Sequence, residues 1–314
     1  MSPVTRAIAR EASCLIAYAA LTVVATYPLA VRAGTALPAA GDSWQFYWNL
    51  WWVKRALVDL HVSPFFTPDL FFPNGASLYF DTLNLLPSVL ALPIAVTLGL
   101  PFAYNLLVFL AFTLSGYGMY RLTIYALRYE IGPSGAVIDA YARLGAFLAG
   151  AAFTFSAYHF AHLHGHLDLV STEWLPFFVL FLLKTRDKGG RRNSIICAML
   201  LAATALTSAY YTLFLLVFAA LVVVDSLVRR GRDGWPAVGR ITLAVATFTV
   251  MASPVLIPML VLGRTTGRVF NPAADVDQFS TDLLAFLVPS TLHPIWGQPI
   301  RPLYQLMFPK GGGL

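Results

Sequence analysis

Seven apolar runs leave this chain few ways to fold. They are Ala12–Val31, Phe102–Tyr120, Leu144–Tyr158, Leu169–Leu183, Ser194–Ser208, Tyr211–Val228 and Ile241–Leu262. A bilayer core takes about 20 apolar residues per helix, with a range of roughly 17–25. The three runs that begin at Leu144, Leu169 and Ser194 are short for a crossing and need flanking residues to complete one. Only 11% of the 314 residues are charged, against about 25% in an ordinary soluble domain. With 58% hydrophobic residues, the surface of a soluble monomer has no room for what its core cannot absorb. The same composition excludes a disordered chain, a collagen and a disulfide scaffold. Cys14 and Cys197 both sit inside apolar runs and read as small core residues. The expected class is an all-α polytopic membrane protein with about seven transmembrane helices.

Charge gives an orientation. The first run follows Arg6 and Arg10 and is too long for a signal-peptide core, so it reads as an uncleaved anchor. Pro87–Leu100, with Pro87 and Pro93, is too short for a span and reads as a re-entrant or interfacial segment. With seven spans and the N-terminus inside, the inner stretches carry Arg6, Arg10, Arg121, Arg128, Arg143, Lys184, Arg186, Lys188, Arg191, Arg192, Arg229, Arg230, Arg232 and Arg240. That is fourteen of the 21 basic residues. Letting Pro87–Leu100 cross would put most of them on the side opposite the N-terminus, against the positive-inside rule.

The outer side then receives residues 32–101, His159–Asp168, the Ser208-Ala209-Tyr210-Tyr211 break and everything after Leu262. All six histidines lie in these stretches, with Asp42, Asp59, Asp69, Asp81, Asp168, Asp275, Asp277 and Asp282. Ser43–Val58 has helical spacing of Trp44, Tyr47, Trp48 and Trp51, extended by Trp52 and Arg55, and predicts an interfacial helix. Its tryptophans read first as aromatic anchors. Asp42 precedes it and reads as an N-cap. At the mouth of a bundle, a partly desolvated Asp42 also has what a general base requires. The turn-rich stretch through Asn74-Gly75 to Asp81 predicts a structured cap, since a connector does not need so long a loop.

This pattern resembles the GT-C superfamily, the multi-pass glycosyltransferases that use polyprenol-phosphate-linked sugars. Members have a first span, a long outer loop with an acidic residue near its start, interfacial helices, further spans and a second large outer loop. Asp42 matches the acidic position, Ser43–Val58 the first interfacial helix and Arg264 onward the second loop. Phe155-Ser156-Ala157-Tyr158 leading to His164-Gly165-His166-Leu167, and Ser280 to Ser290, look like stretches of bacterial members. Two features depart from the family: Asp42 stands alone, with Asp81 a distant partner, and the chain ends in Pro309-Lys310-Gly311-Gly312-Gly313-Leu314 where members usually continue.

The resemblance implies a bacterial plasma-membrane enzyme with its N-terminus in the cytoplasm. Its module covers 1–262, with 263–314 a second outer loop. It implies inverting transfer of a sugar from a polyprenol-phosphate donor to an acceptor on the outer face, with Asp42 as base.

Other constellations fit around that site. His159, His162, His164 and His166 beside Asp168 have the spacing of metal ligands, of substrate-binding groups or of plain structural histidines. A divalent metal is the one cofactor they leave open. Glu173 sits just inside the next apolar run, where a carboxylate is costly unless it faces the bundle interior. Tyr210, Tyr211 and Ser208 fall where two helices meet, aimed at one cavity or forming an aromatic belt. Arg264 and Arg268, in Gly263-Arg264-Thr265-Thr266-Gly267-Arg268, suit a clamp on the donor phosphate or anchorage to headgroups.

There is no G-x-S-x-G, H-E-x-x-H, C-x-x-C or dinucleotide fingerprint, and nothing points to nucleic acid. Two other readings stay open. One is a non-catalytic membrane subunit whose protein partner supplies the missing C-terminal elements. The other is a lipid or small-molecule transporter, for which ionisable residues at mid-membrane depth are few and an internal repeat is absent.

Overall fold

The computed structural model describes residues 2–131, 136–265, 288 and 296–307. It divides into two compact units, Met1–Met259 and Leu260–Leu314. Among the described residues the protein is all-α apart from one hairpin of two two-residue strands. In chain order the helices are α1 (Pro3–Ala25), α2 (Ser43–Lys54), α3 (Leu85–Thr97), α4 (Leu100–Ile131), α5 (Ala136–Thr154), α6 (Ala157–Leu163), α7 (Leu167–Val170), α8 (Trp174–Asp187), α9 (Arg191–Ala205), α10 (Ala209–Arg230), α11 (Trp235–Thr265) and α12 (Gly297–Met307).

Several large apolar side chains point outward, the reverse of a soluble protein. α10 shows why. Tyr211, Leu215, Ala219, Val222 and Ser226 recur every three or four residues and are buried. Leu213, Phe214, Val217, Leu221, Val224 and Val228, on the rest of the helix, are exposed. A helix that is apolar all round but packed on one stripe only is covered by lipid on the other. Among the described residues four helical segments are long and apolar enough to cross a membrane: Val4–Ala25, Leu100–Arg128, Asp139–Leu163 and Ala209–Arg264. The last holds both α10 and α11.

Helix limits depart from the apolar runs for definite reasons. α1 ends at Ala25, before Pro28, not at Val31. α4 continues past Tyr120 through Arg121 and Arg128. Backbone hydrogen bonding, unlike hydropathy, does not stop at a charged residue. The Leu169 run is split by Ser171-Thr172-Glu173 before α8. α3, in the region of the Pro87–Leu100 run, has 13 residues. It therefore spans about 20 Å, short of a bilayer core.

α4 is the hub, packed against α1, α3, α5 and α8. Its crossing with α5 is made by small residues. Tyr18 of α1 is fully buried beside them and donates its hydroxyl to the Phe147 carbonyl at 2.8 Å. Thr154 donates to the Phe112 carbonyl at 2.6 Å. Helices in lipid gain little from burying apolar surface, so close backbone approach and interhelical hydrogen bonds hold them together. α8 to α11 share a second core around Phe178, Leu182, Leu201, Leu215, Ile241 and Phe248.

Two buried side chains hold the segment that contains Asp42. Asn105 of α4 donates to the carbonyls of Ala33 and Ala36 at 2.8 and 2.7 Å. Trp52 of α2 is fully buried among Val53, Ala56, Leu78 and Leu83, and its Nε1–H donates to the Pro64 carbonyl at 2.9 Å. Trp52 is therefore core, not an interfacial anchor. Trp44, 59% exposed, is placed as an anchor would be. In the hairpin, Phe66 pairs with Ser77 and Thr67 with Ala76. Its turn needs Gly75, at φ +72°, because a Cβ there would collide with the Phe66 ring and the Thr67 carbonyl.

Candidate functional site

Asp42 occupies the N-cap position of α2 but does not cap it. Its backbone is already helical (φ −65°, ψ −15°) and its side chain makes no capping hydrogen bond. A capping side chain needs an extended backbone to reach back to the first turn. Here the Asp42 carbonyl accepts from Gln45 N–H at 3.0 Å, and the carboxylate is left for something else. It lies 3.3 Å from His166 Nε2. The link between α6 and α7 can come this close because position 165 is glycine. A Cβ there would lie 3.3 Å from the Asp42 Cβ, tighter than nine in ten real contacts.

A chain of polar rings runs from this pair into the bundle. His166 meets His162 edge to face, with centroids 5.3 Å apart. His162 meets Tyr158 in the same way at 4.3 Å. The Tyr158 and Tyr211 hydroxyl oxygens are 2.7 Å apart, and Tyr211 donates to the Leu169 carbonyl at 2.5 Å. A carbonyl only accepts, so Tyr211 spends its proton there and Tyr158 donates to Tyr211. Five separate segments are thereby tied together: the start of α2, α6, the α6–α7 link, α7 and the start of α10.

Two carboxylates lie inside this framework. Asp168 is 2% exposed and Glu173 is 7% exposed. Glu173 Oε2 has no hydrogen-bond partner, and neither have Ser208 Oγ, Trp174 Nε1 or the side-chain amide atoms of Asn84. Buried polar atoms are nearly always paired. Glu173 is within electrostatic reach of Tyr211 and Ser208 directly precedes the helix that carries it, so these two unpartnered groups border the assembly.

Asp168, in the short α7 outside the candidate spans, is pushed by burial from 3.8 up to about 6. Backbone N–H groups and His166 pull it down by less. A carboxyl with a higher pKa folded than unfolded holds more protons in the folded state between those two values. Stability therefore falls as pH rises from about 4 to about 6 and stays low above that. Asp168→Asn should remove this penalty of ~3 kcal/mol at neutral pH. The variant in detergent should melt above the wild type at neutral pH, with the gap closing near pH 4. Scanning fluorimetry at both pH values would expose a gap that does not close, and with it an error in this assignment.

The predicted site residues divide. Asp42, His166, His162, Tyr211 and Asp168 belong to one assembly, and Glu173, like Asp168, lies within electrostatic reach of the Tyr211 hydroxyl. Asp42 is 63% exposed at its side chain, not the partly desolvated carboxylate expected. The desolvated acids are Asp168 and Glu173.

Tyr210 is 59% exposed and does not share the cavity expected for both tyrosines, because successive helical residues point about 100° apart. Asp81 sits one turn of α2 from Asp42, accepting from Gln45 at 3.3 Å. His164 is exposed.

His159 is no metal ligand. Its Nδ1 donates to the Thr154 carbonyl at 2.7 Å, which leaves Nε2 of the neutral ring to accept from Thr172 at 2.7 Å. Thr172 in turn accepts from Ser115 at 2.8 Å. Among the described residues no group of three or more His, Cys, Asp and Glu side chains is gathered to hold a metal. Arg264, expected in a loop, is an exposed residue in the last turn of α11, which runs on to Thr265. Arg268, Asp275, Asp277, Asp282 and His293 lie outside the described residues.

Residues 13–307 match the family model described as Domain of unknown function (DUF6311). The chain belongs to this family. No curated protein and no solved structure matches it. The matched range in this DUF6311 member takes in every residue of the Asp42–His166–Tyr211 assembly.

The residue that sequence reasoning undervalued is Tyr158. Its signal was the Tyr-His-x-x-His spacing of Tyr158, His159 and His162, which puts Tyr158 and His162 on one face of a helix.

Proposed function

We propose that this protein is a membrane glycosyltransferase of the polyprenol-phosphate-dependent kind. It crosses the membrane seven times with its N-terminus inside, and its site lies on the outer face. The single observation that carries the reading is the Asp42 carboxylate, free of its cap, paired with His166 and open to an incoming hydroxyl.

Two further features support it. The unpartnered polar atoms of Glu173, Ser208 and Asn84 suit a hydroxyl-rich ligand such as a sugar. Candidate membrane-spanning helices around the site suit a donor whose lipid tail stays in the bilayer.

In the proposed reaction Asp42 takes the proton of the acceptor hydroxyl. The acceptor oxygen forms its bond to the anomeric carbon as the bond from that carbon to the phosphate oxygen breaks. The anomeric centre inverts, and polyprenol phosphate leaves with the bonding electron pair. His166 is a positioning residue that aims the carboxylate. The departing phosphate calls for cations making charge-assisted hydrogen bonds, a role for which Arg264 and Arg268 are proposed on their chemistry in the sequence alone.

Native mass spectrometry of gently extracted protein is the test, because it requires no choice of donor. The expected result is a bound lipid with the mass of a polyprenol-phosphate sugar, weakened in Arg264→Ala. Extraction with a stoichiometric protein partner and no such lipid would overturn the reading in favour of a non-catalytic subunit.

A further inference from the structure

A polar cavity lies toward the C-terminal end of α8, the end away from Glu173. It is a cleft of about 470 Å³ between the later turns of α4 and the end of α8. Its lining is Arg121, Arg128, Lys184 and Lys188, with Tyr125, Ile124 and Leu180 as wall and Asp187 as the one carboxylate.

Basic residues in the last turn of one helix are ordinary, since they complement the dipole. Two such basic ends facing each other across an open cleft are not. The acid that could neutralise them is already taken. Asp187 lies 2.7 Å from Arg186 Nε and 3.1 Å from Arg230 Nη2, and accepts from Tyr125 at 3.3 Å. Arg121 pairs with Glu11 of α1 at 3.2 Å. Among the described residues, Arg128, Lys184 and Lys188 make no ion pair. Lys184 Nζ instead lies 4.4 Å from the Phe181 ring centre, and Lys188 Nζ lies 5.4 Å from that of Tyr125. Arg121 and Lys188 both bear on Lys184 with like charge.

Bringing like charges together costs energy unless an anion joins them. The cleft has the volume of about 15 water molecules, far more than one halide needs. It fits a phosphate with an organic substituent lying against Ile124 and Leu180.

We propose that this α4–α8 cleft binds the phosphate group of an anionic ligand, with Arg128, Lys184 and Lys188 as the groups that hold it. The chemistry is shared by a phospholipid headgroup and by a free phosphate ester, and two measurements separate them. In detergent at fixed ionic strength, the full chain is titrated with glycerol phosphate and its melting temperature followed. In nanodiscs of phosphatidylcholine doped with phosphatidylglycerol, native mass spectrometry counts the phosphatidylglycerol retained.

The triple variant Arg128→Gln, Lys184→Gln, Lys188→Gln is expected to lose roughly tenfold or more in affinity in at least one arm. Arg191→Gln, Arg192→Gln removes two exposed cations that do not line the cleft and should change it less than about twofold. If the triple variant does not fold, Lys184→Arg with Lys188→Arg should retain binding and Lys184→Gln alone should weaken it. Binding of glycerol phosphate assigns a soluble ligand. Selective retention of phosphatidylglycerol assigns a lipid. Equal binding by wild type and cleft variants in both arms, or equal loss in the Arg191/Arg192 control, overturns the proposal.

Discussion

Asp42→Asn is expected to lower the proposed sugar transfer by roughly 10²–10⁴-fold, the range for removing a positioned general base. The amide keeps the shape of the carboxylate and its 3.3 Å approach to His166, so the fold and the bound donor should survive. The loss should appear in kcat more than in KM, since proton removal belongs to the transition state and not to ground-state binding. His166→Ala should cost less than Asp42→Asn, because it removes an orienting partner from a carboxylate that stays in place. The assay is transfer from a polyprenol-phosphate sugar in detergent, with donor retention followed in parallel by native mass spectrometry. Full turnover in Asp42→Asn would remove Asp42 as base. The buried acids Asp168 and Glu173 would then inherit the role.

Gly150→Ala is expected to be among the most damaging glycine-to-alanine changes in the described residues. A Cβ at position 150 would collide with the Tyr18 hydroxyl and with the Gly116 carbonyl oxygen. The Tyr18 ring cannot simply retreat. It is fully buried, stacked on Phe147 with centroids 4.7 Å apart, and hydrogen-bonded to the Phe147 carbonyl. The carbonyl belongs to the backbone of α4, so relief requires α4 and α5 to separate along their contact. Overpacking of this kind costs about 1–3 kcal/mol, and more where backbone must move. Gly145→Ala, on the same helix, is the control. Beyond the adjoining stretch of its own helix no atom lies within 4 Å of a Cβ there, so it should be neutral or stabilising by up to about 1 kcal/mol. Thermal unfolding of both variants in one detergent separates packing from helix propensity. Equal melting temperatures would show that the α4–α5 crossing is looser than this geometry.

Much of this architecture can be read from hydropathy, because a lipid-facing helix needs apolar residues on its outer surface as well as its inner one. Glu173 is a clear case. A carboxylate at the edge of an apolar run has to find the interior, and Glu173 is buried there. Other features escape for physical reasons. Tyr210 and Tyr211 are chemically alike, and only the rotation of α10 sends one outward and one to Leu169. Asp42 has the residue type and position of a cap, but a capping bond depends on φ and ψ, which composition does not set. Asp168 reads as one more group in a histidine-rich link. Its burial comes from elements distant in sequence, and no local pattern encodes it. The histidines have metal-ligand spacing, yet His159 is committed to Thr154 and Thr172 because the α5–α6 kink turns it inward.

The tyrosine pair also sets a clock during synthesis. Tyr211 closes a hydrogen bond to a carbonyl 42 positions earlier. At roughly 5–20 residues per second, that carbonyl and the adjacent Asp168 wait about 2–8 s for their cover to leave the ribosome. During that interval the α6–α7 segment exists without the element that locks it. A chain cut between α9 and α10 would therefore hold Asp42 and His166 and still lack the strut behind them.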